Sequence, residues 1–102
     1  MLPTSEMETF AEVDLSAIRA NVKAIRPYID PAQIIAVIKA DAYGHGAIPV
    51  SRVLAGDVMM FAVATVGEAI ELRQAGIHHP ILILYNVLPH LVEKAVIQKI
   101  TL

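Results

Sequence analysis

The chain contains no cysteine, which excludes a disulfide framework and a thiolate metal site and fits a reducing compartment without proving one. It has no block of like charges and no low-complexity tract, and a formal net charge of −2 offers no basic surface for nucleic acid. Long apolar runs are missing too. Hydrophobic residues make up 56% of the 102 positions, so a membrane protein is the first explanation to test. The longest uninterrupted runs, IIAVI at 34–38 and VMMFAVA at 58–64, fall far short of the roughly 20 apolar residues that a spanning helix needs. The opening MLPTSEMETF has no basic segment followed by an apolar one, so it does not read as a secretory signal. Strands buried on both faces explain the composition better, because parallel strands covered by helices read as continuous Val/Ile/Leu runs. The length suits one domain with a modest core.

The chain opens with a short strand expected at Phe10 to Asp14, followed by a helix over about 16–26. Leu15, Ile18, Val22 and Ile25 share one face of that helix, Arg19, Lys23 and Arg26 lie off it, and Pro27 and Pro31 bracket its exit. A β/α rhythm then begins. Ile34 to Lys39 reads as a buried strand, Asp41 to Gly46 as a turn, and Pro49 to Gly56 as a helix with Val50, Val53 and Leu54 as its apolar stripe. A strand at 60–64 leads into Thr65-Val66-Gly67-Glu68, a capping-box pattern that opens a helix ending at Gly76. A third strand spans Ile81 to Tyr85, a helix follows over Pro89 to Gln98, and Ile100-Thr101-Leu102 starts a fourth strand. Strands alternating with helices imply an α/β fold with parallel pairing through right-handed crossovers. A doubly wound sheet and an eight-fold barrel both fit this rhythm. A barrel takes about 250 residues, so only part of one would be present.

The segment Ala36-Val37-Ile38-Lys39-Ala40-Asp41-Ala42-Tyr43-Gly44-His45-Gly46 carries the chemistry. Lys39 closes an otherwise apolar run, at the carboxyl end of a strand, where α/β folds place their ligands. Desolvation there is expected to lower its pKa and free the amine for Schiff-base chemistry. From position alone, a strand-end lysine that snorkels to water has equal weight. Gly44 and Gly46 permit positive φ and close approach of a ligand, and they precede a helix amino terminus, which suits a phosphate. By spacing alone that phosphate signal is weak. Tyr43 offers a phenol to the same ligand, whereas Asp41 serves equally well as a turn cap and His45 as a structural residue. His78, His79 and His90 lack metal-ligand spacing with carboxylates, so no metal site is expected.

The run from Val37 to Gly46 resembles the pyridoxal phosphate (PLP) attachment signature of alanine racemases along its whole length. Ala11 to Leu15 with Ala17, Ile18 and Asn21 is similar to that family's opening strand and helix. Ala62-Val63-Ala64 with Glu68-Ala69, Leu72-Arg73 and Ala75-Gly76-Ile77 resembles its second barrel strand and helix, and Pro80 to Leu84 its third strand.

The resemblance implies the N-terminal portion of a PLP-binding (β/α)8 TIM barrel, about three β/α units ending as the fourth strand begins. On this reading residues 1–14 are an N-terminal extension with a strand, 15–102 an incomplete barrel domain, and a C-terminal β domain is absent. It further implies that Lys39 is the catalytic lysine carrying PLP as a Schiff base and that Tyr43 hydrogen-bonds the cofactor phosphate. The activity it implies is interconversion of L- and D-alanine for peptidoglycan, in a cytoplasmic homodimer with shared active sites. The tyrosine serving the second face, the arginine facing the pyridine nitrogen and most of the phosphate cup are expected beyond residue 102. The chain alone is accordingly expected to be an inactive fragment or truncated product. A racemase of the same fold with serine or broad specificity, and a non-catalytic PLP-binding barrel, are the other readings. The Asp41 to Gly46 turn argues against the second of these.

Overall fold

The structure, a computed structural model, describes residues 11–102. Helix α1 (Leu15–Ile29) begins where the Asp14 carboxylate accepts from the Ala17 amide at 3.1 Å. That cap explains one departure from expectation. Ala11 to Asp14 form no strand, because no described segment pairs with them and Asp14 serves the helix instead; Phe10 lies outside the described residues. A second departure is at the helix exit. Pro27 lies inside α1 rather than beyond it, and the Asp30 amide donates to Arg26 O at 3.2 Å to close the last turn. Proline holds a φ compatible with the helix, but it forgoes its own amide bond and its ring crowds the carbonyl four residues earlier.

Three parallel strands follow, β1 (Ile35–Val37), β2 (Met60–Val63) and β3 (Ile81–Ile83), in the order β1-β2-β3. A left-handed helical turn, α2 (Lys39–Tyr43), and helix α3 (Ala47–Leu54) connect the first pair. Helix α4 (Val66–Gln74) connects the second pair, and α5 (Pro89–Ile97) follows β3. The expected fourth strand begins beside β3: Thr101 donates to Ile81 O and accepts from the Ile83 amide, each at 2.8 Å. Every strand is thus added on the same side of its predecessor. A doubly wound sheet reverses its strand order at a switch point, whereas this sequential order is that of a barrel opened after its fourth strand.

Helices α3, α4 and α5 cover one face of the sheet. Val50, Leu54, Val66, Ala69, Leu72 and Ala95 pack there with Phe61, Val63, Ile81 and Ile83, all buried. The expectation of strands buried on both faces holds for this face and, on the other, for Ala62 of the central strand. Residues of the opposite parity are also apolar, but Ile35 is 41% and Val37 39% exposed. Strand residues alternate in direction, so these point into what a closed barrel would enclose. Strand β1 is also an edge, hydrogen-bonded only to β2 among the described residues.

Candidate active site

Lys39 stands one residue past Ile38 at the carboxyl end of β1, and the chain then turns the unusual way. Ala40, Asp41, Ala42 and Tyr43 take φ of 52°, 55°, 54° and 56°, followed by Gly44 and Gly46 at 90°. Each L-residue in the left-handed region costs roughly 1–2 kcal/mol, so the turn must be held from outside as well as within. Within it, Ala42 N bonds Ile38 O at 2.9 Å and Gly46 N bonds Asp41 O at 2.9 Å. From outside, Glu68 of α4 fastens it. One carboxylate oxygen accepts from the Ala64 and Thr65 amides at 2.8 and 3.1 Å, and the other accepts from the Ala40 amide at 2.7 Å. The capping box read in the sequence is present, with Thr65 Oγ1 accepting from the Glu68 amide at 3.1 Å. Its glutamate also anchors the residue after Lys39, a role the four-residue pattern does not reveal.

The turn does not present a vacant helix end to a phosphate. Asp41 Oδ1 already accepts the Ala47 amide at 2.8 Å, capping α3 with a negative charge that disfavours a second anion there. That cap weighs against the phosphate reading of Gly44 and Gly46. Their glycines serve the positive φ, and at Gly46 a Cβ would also meet Pro49 Cγ at 2.9 Å. His45 Nδ1 lies 3.0 Å from Ala42 O, and His79 Nε2 lies 2.7 Å from Val58 O with its ring against Phe61. Both are tied to backbone carbonyls.

Lys39 Nζ donates to the phenol oxygen of Tyr85 at 2.7 Å. The nitrogen is 5.1 Å from the ring centre, nearly twice as far, so it sits off the oxygen edge rather than over the ring face. Tyr85 closes the stretch read as the third strand and carries no motif, so sequence reading passed over it; an aromatic at the carboxyl end of a barrel strand was the available signal. The expected fall in the Lys39 pKa is reversed. The Tyr85 hydrogen bond is the largest cause of a rise, followed by the charge of Tyr85; desolvation opposes it, and the charges of Tyr43 and Glu68 add smaller increases. Tyr43 lies near enough to contribute, and is itself 61% exposed.

The donor set fits an aldehyde cofactor bearing a phosphate. Lys39 is a primary amine that forms no ion pair among the described residues, and two phenols stand beside it. Residues 13–102 match the family model described as alanine racemase, N-terminal domain.

The chain belongs to the alanine racemase N-terminal domain family.

Alanine racemase of Streptococcus uberis is 44% identical over 103 residues, covering 100% of this chain and 28% of its own length. Alanine racemase from Bacillus anthracis, solved with bound L-Ala-P, superposes with a TM-score of 0.82 at 40% identity, covering 86% of this chain and 23% of that one. Histidine racemase from Leuconostoc mesenteroides subsp. sake is similar as well, with a TM-score of 0.79 and 31% identity over 86% of this chain and 24% of its own. The chain spans about a quarter of the length of these alanine racemase-family relatives. The family is one of PLP-dependent enzymes.

Proposed function

We propose that the protein is an alanine racemase that interconverts L- and D-alanine with PLP held covalently on Lys39. We place it in the cytoplasm as a homodimer that supplies D-alanine for peptidoglycan. The observation that supports this most is the Lys39 amine, free of any ion pair among the described residues, at the carboxyl end of a parallel sheet in a chain of this family. PLP, when bound, supplies an electron sink that stabilises a carbanion at the substrate α-carbon. The residues of this chain hold the cofactor and move a proton. Lys39 Nζ would hold the cofactor and, as a free amine, would take or return the α-proton on one face. The Tyr43 phenol would donate to the phosphate. Glu68, through the Ala40 amide, fixes the backbone from which Lys39 reaches. The opposite face needs a second acid–base group, which the resemblance assigns to a tyrosine of the partner subunit; hence the homodimer.

A second reading concerns the substrate. The same barrel portion occurs in a histidine racemase, so these residues suit more than one amino acid. The test is to incubate the intact protein and PLP with L-alanine, L-serine or L-histidine and to follow each D-enantiomer. PLP-dependent D-alanine formation with the highest kcat/KM of the three is expected. A higher kcat/KM for serine or histidine would favour the second reading, and no D-product from any would contradict both.

A further inference from the structure

Tyr85 lies two residues beyond β3, whereas Lys39 lies two beyond β1, with β2 between them. Adjacent strands are about 4.8 Å apart, so the two side chains span two strand spacings to meet. The Tyr85 ring is 56% exposed, and its oxygen has Lys39 as its hydrogen-bond partner among the described residues. A tyrosine kept for packing buries its ring; among the described residues this one packs little and presents its oxygen to the amine. Lys39 in turn has Tyr85 as its hydrogen-bond partner, although Glu68 stands near enough to be felt. Glu68 is held by three backbone amides and forms no ion pair with the ammonium.

We propose that Tyr85 is a positioning residue for Lys39, its phenol oxygen accepting the amine's hydrogen bond and holding Nζ at the open carboxyl end of the sheet until a carbonyl ligand takes its place. This rests on the reading of Lys39 as the cofactor lysine. The contact has a second consequence for that lysine. An amine donating to a phenol oxygen keeps its proton longer, so removing the oxygen lets Lys39 deprotonate at lower pH.

The test needs no cofactor. The intact protein is trace-labelled with acetic anhydride across a pH series, and acetylation is quantified peptide by peptide, with Lys23, Lys94 and Lys99 as internal references. In Tyr85→Phe and Tyr85→Leu, which lose the oxygen but differ in bulk, the Lys39 profile is expected to shift to lower pH while the reference lysines stay put. Tyr28→Phe, at an exposed tyrosine on α1, is expected to leave the Lys39 profile unchanged. An unshifted Lys39 profile in both Tyr85 variants overturns the proposal. Pyridoxyl labelling of the unmodified protein is mapped separately: a label on Lys39 upholds the cofactor reading whatever the acetylation profile does, and a label on another lysine overturns both.

Discussion

Gly46 has no room for a side chain and a backbone angle that L-residues avoid. Gly46→Ala is expected to lower stability by about 1–3 kcal/mol, because φ is +90° and the new Cβ would press on Pro49 at 2.9 Å. Chemical denaturation reads this directly, and an unchanged midpoint would mean that the turn relaxes to another shape. Tyr43 makes a different case, since its exposed phenol contributes little to folding. Tyr43→Phe is expected to weaken PLP binding several-fold, the equivalent of one hydrogen bond of about 0.5–1.5 kcal/mol, with stability and the cofactor absorbance band retained. Equal affinity in the two proteins would remove Tyr43 from the phosphate site. The raised proton affinity of Lys39 also has a sign that can be followed. A group whose folded pKa is raised favours folding while protonated and loses that contribution as pH climbs through the raised value. Attachment of PLP is accordingly expected to accelerate as pH rises through that value, which lies above the ordinary 10.5 of lysine. A rate already flat below that pH would contradict the Tyr85 pairing.

At the scale of elements, two polar side chains do work that hydrophobic periodicity cannot report. Glu68 ties α4 to the turn after Lys39, and Arg73, near the other end of the same helix, ties it to two loops. The Arg73 guanidinium donates to Ile77 O, His79 O, Gln98 O and Lys99 O at 2.9, 2.7, 2.9 and 3.1 Å, clamping the entries to β3 and to the fourth strand. Arg73→Ala is expected to cost about 1.5–3 kcal/mol, and Arg73→Lys to recover only part, because an ammonium lacks the planar fork. Full stability in Arg73→Ala, read by thermal melting, would dismiss the clamp. Helices α3 to α5 and the three strands were legible within a few residues, because their apolar stripes and β-branched runs encode burial locally. The capping box was legible because its two residues lie three apart. The helical course of Pro27, the missing strand at Ala11 to Asp14 and the four left-handed residues after Lys39 were not legible. Each depends on a partner distant in sequence, or on having none. The place of Lys39 at a strand end was legible, whereas its partnership with Tyr85, 46 positions away, was not.

At the scale of the molecule, the sheet has one finished face. Ile35, Val37 and Leu84 leave apolar surface open, and among the described residues β1 offers an unpaired edge. Unprotected edges and apolar patches recruit other chains. Residues 1–102 expressed alone are therefore expected to self-associate through that face and edge. Light scattering reads the outcome, and a stable monomer would contradict it. Val37→Lys, which places a charge on the open edge, is expected to reduce the association of this segment. The account as a whole turns on one nitrogen. The most direct measurement is to incubate the intact protein with PLP, reduce with borohydride, digest, and locate the pyridoxyl group by mass spectrometry. The account predicts a single label on Lys39; a label on Lys23, Lys94 or Lys99 with Lys39 unmodified would contradict it.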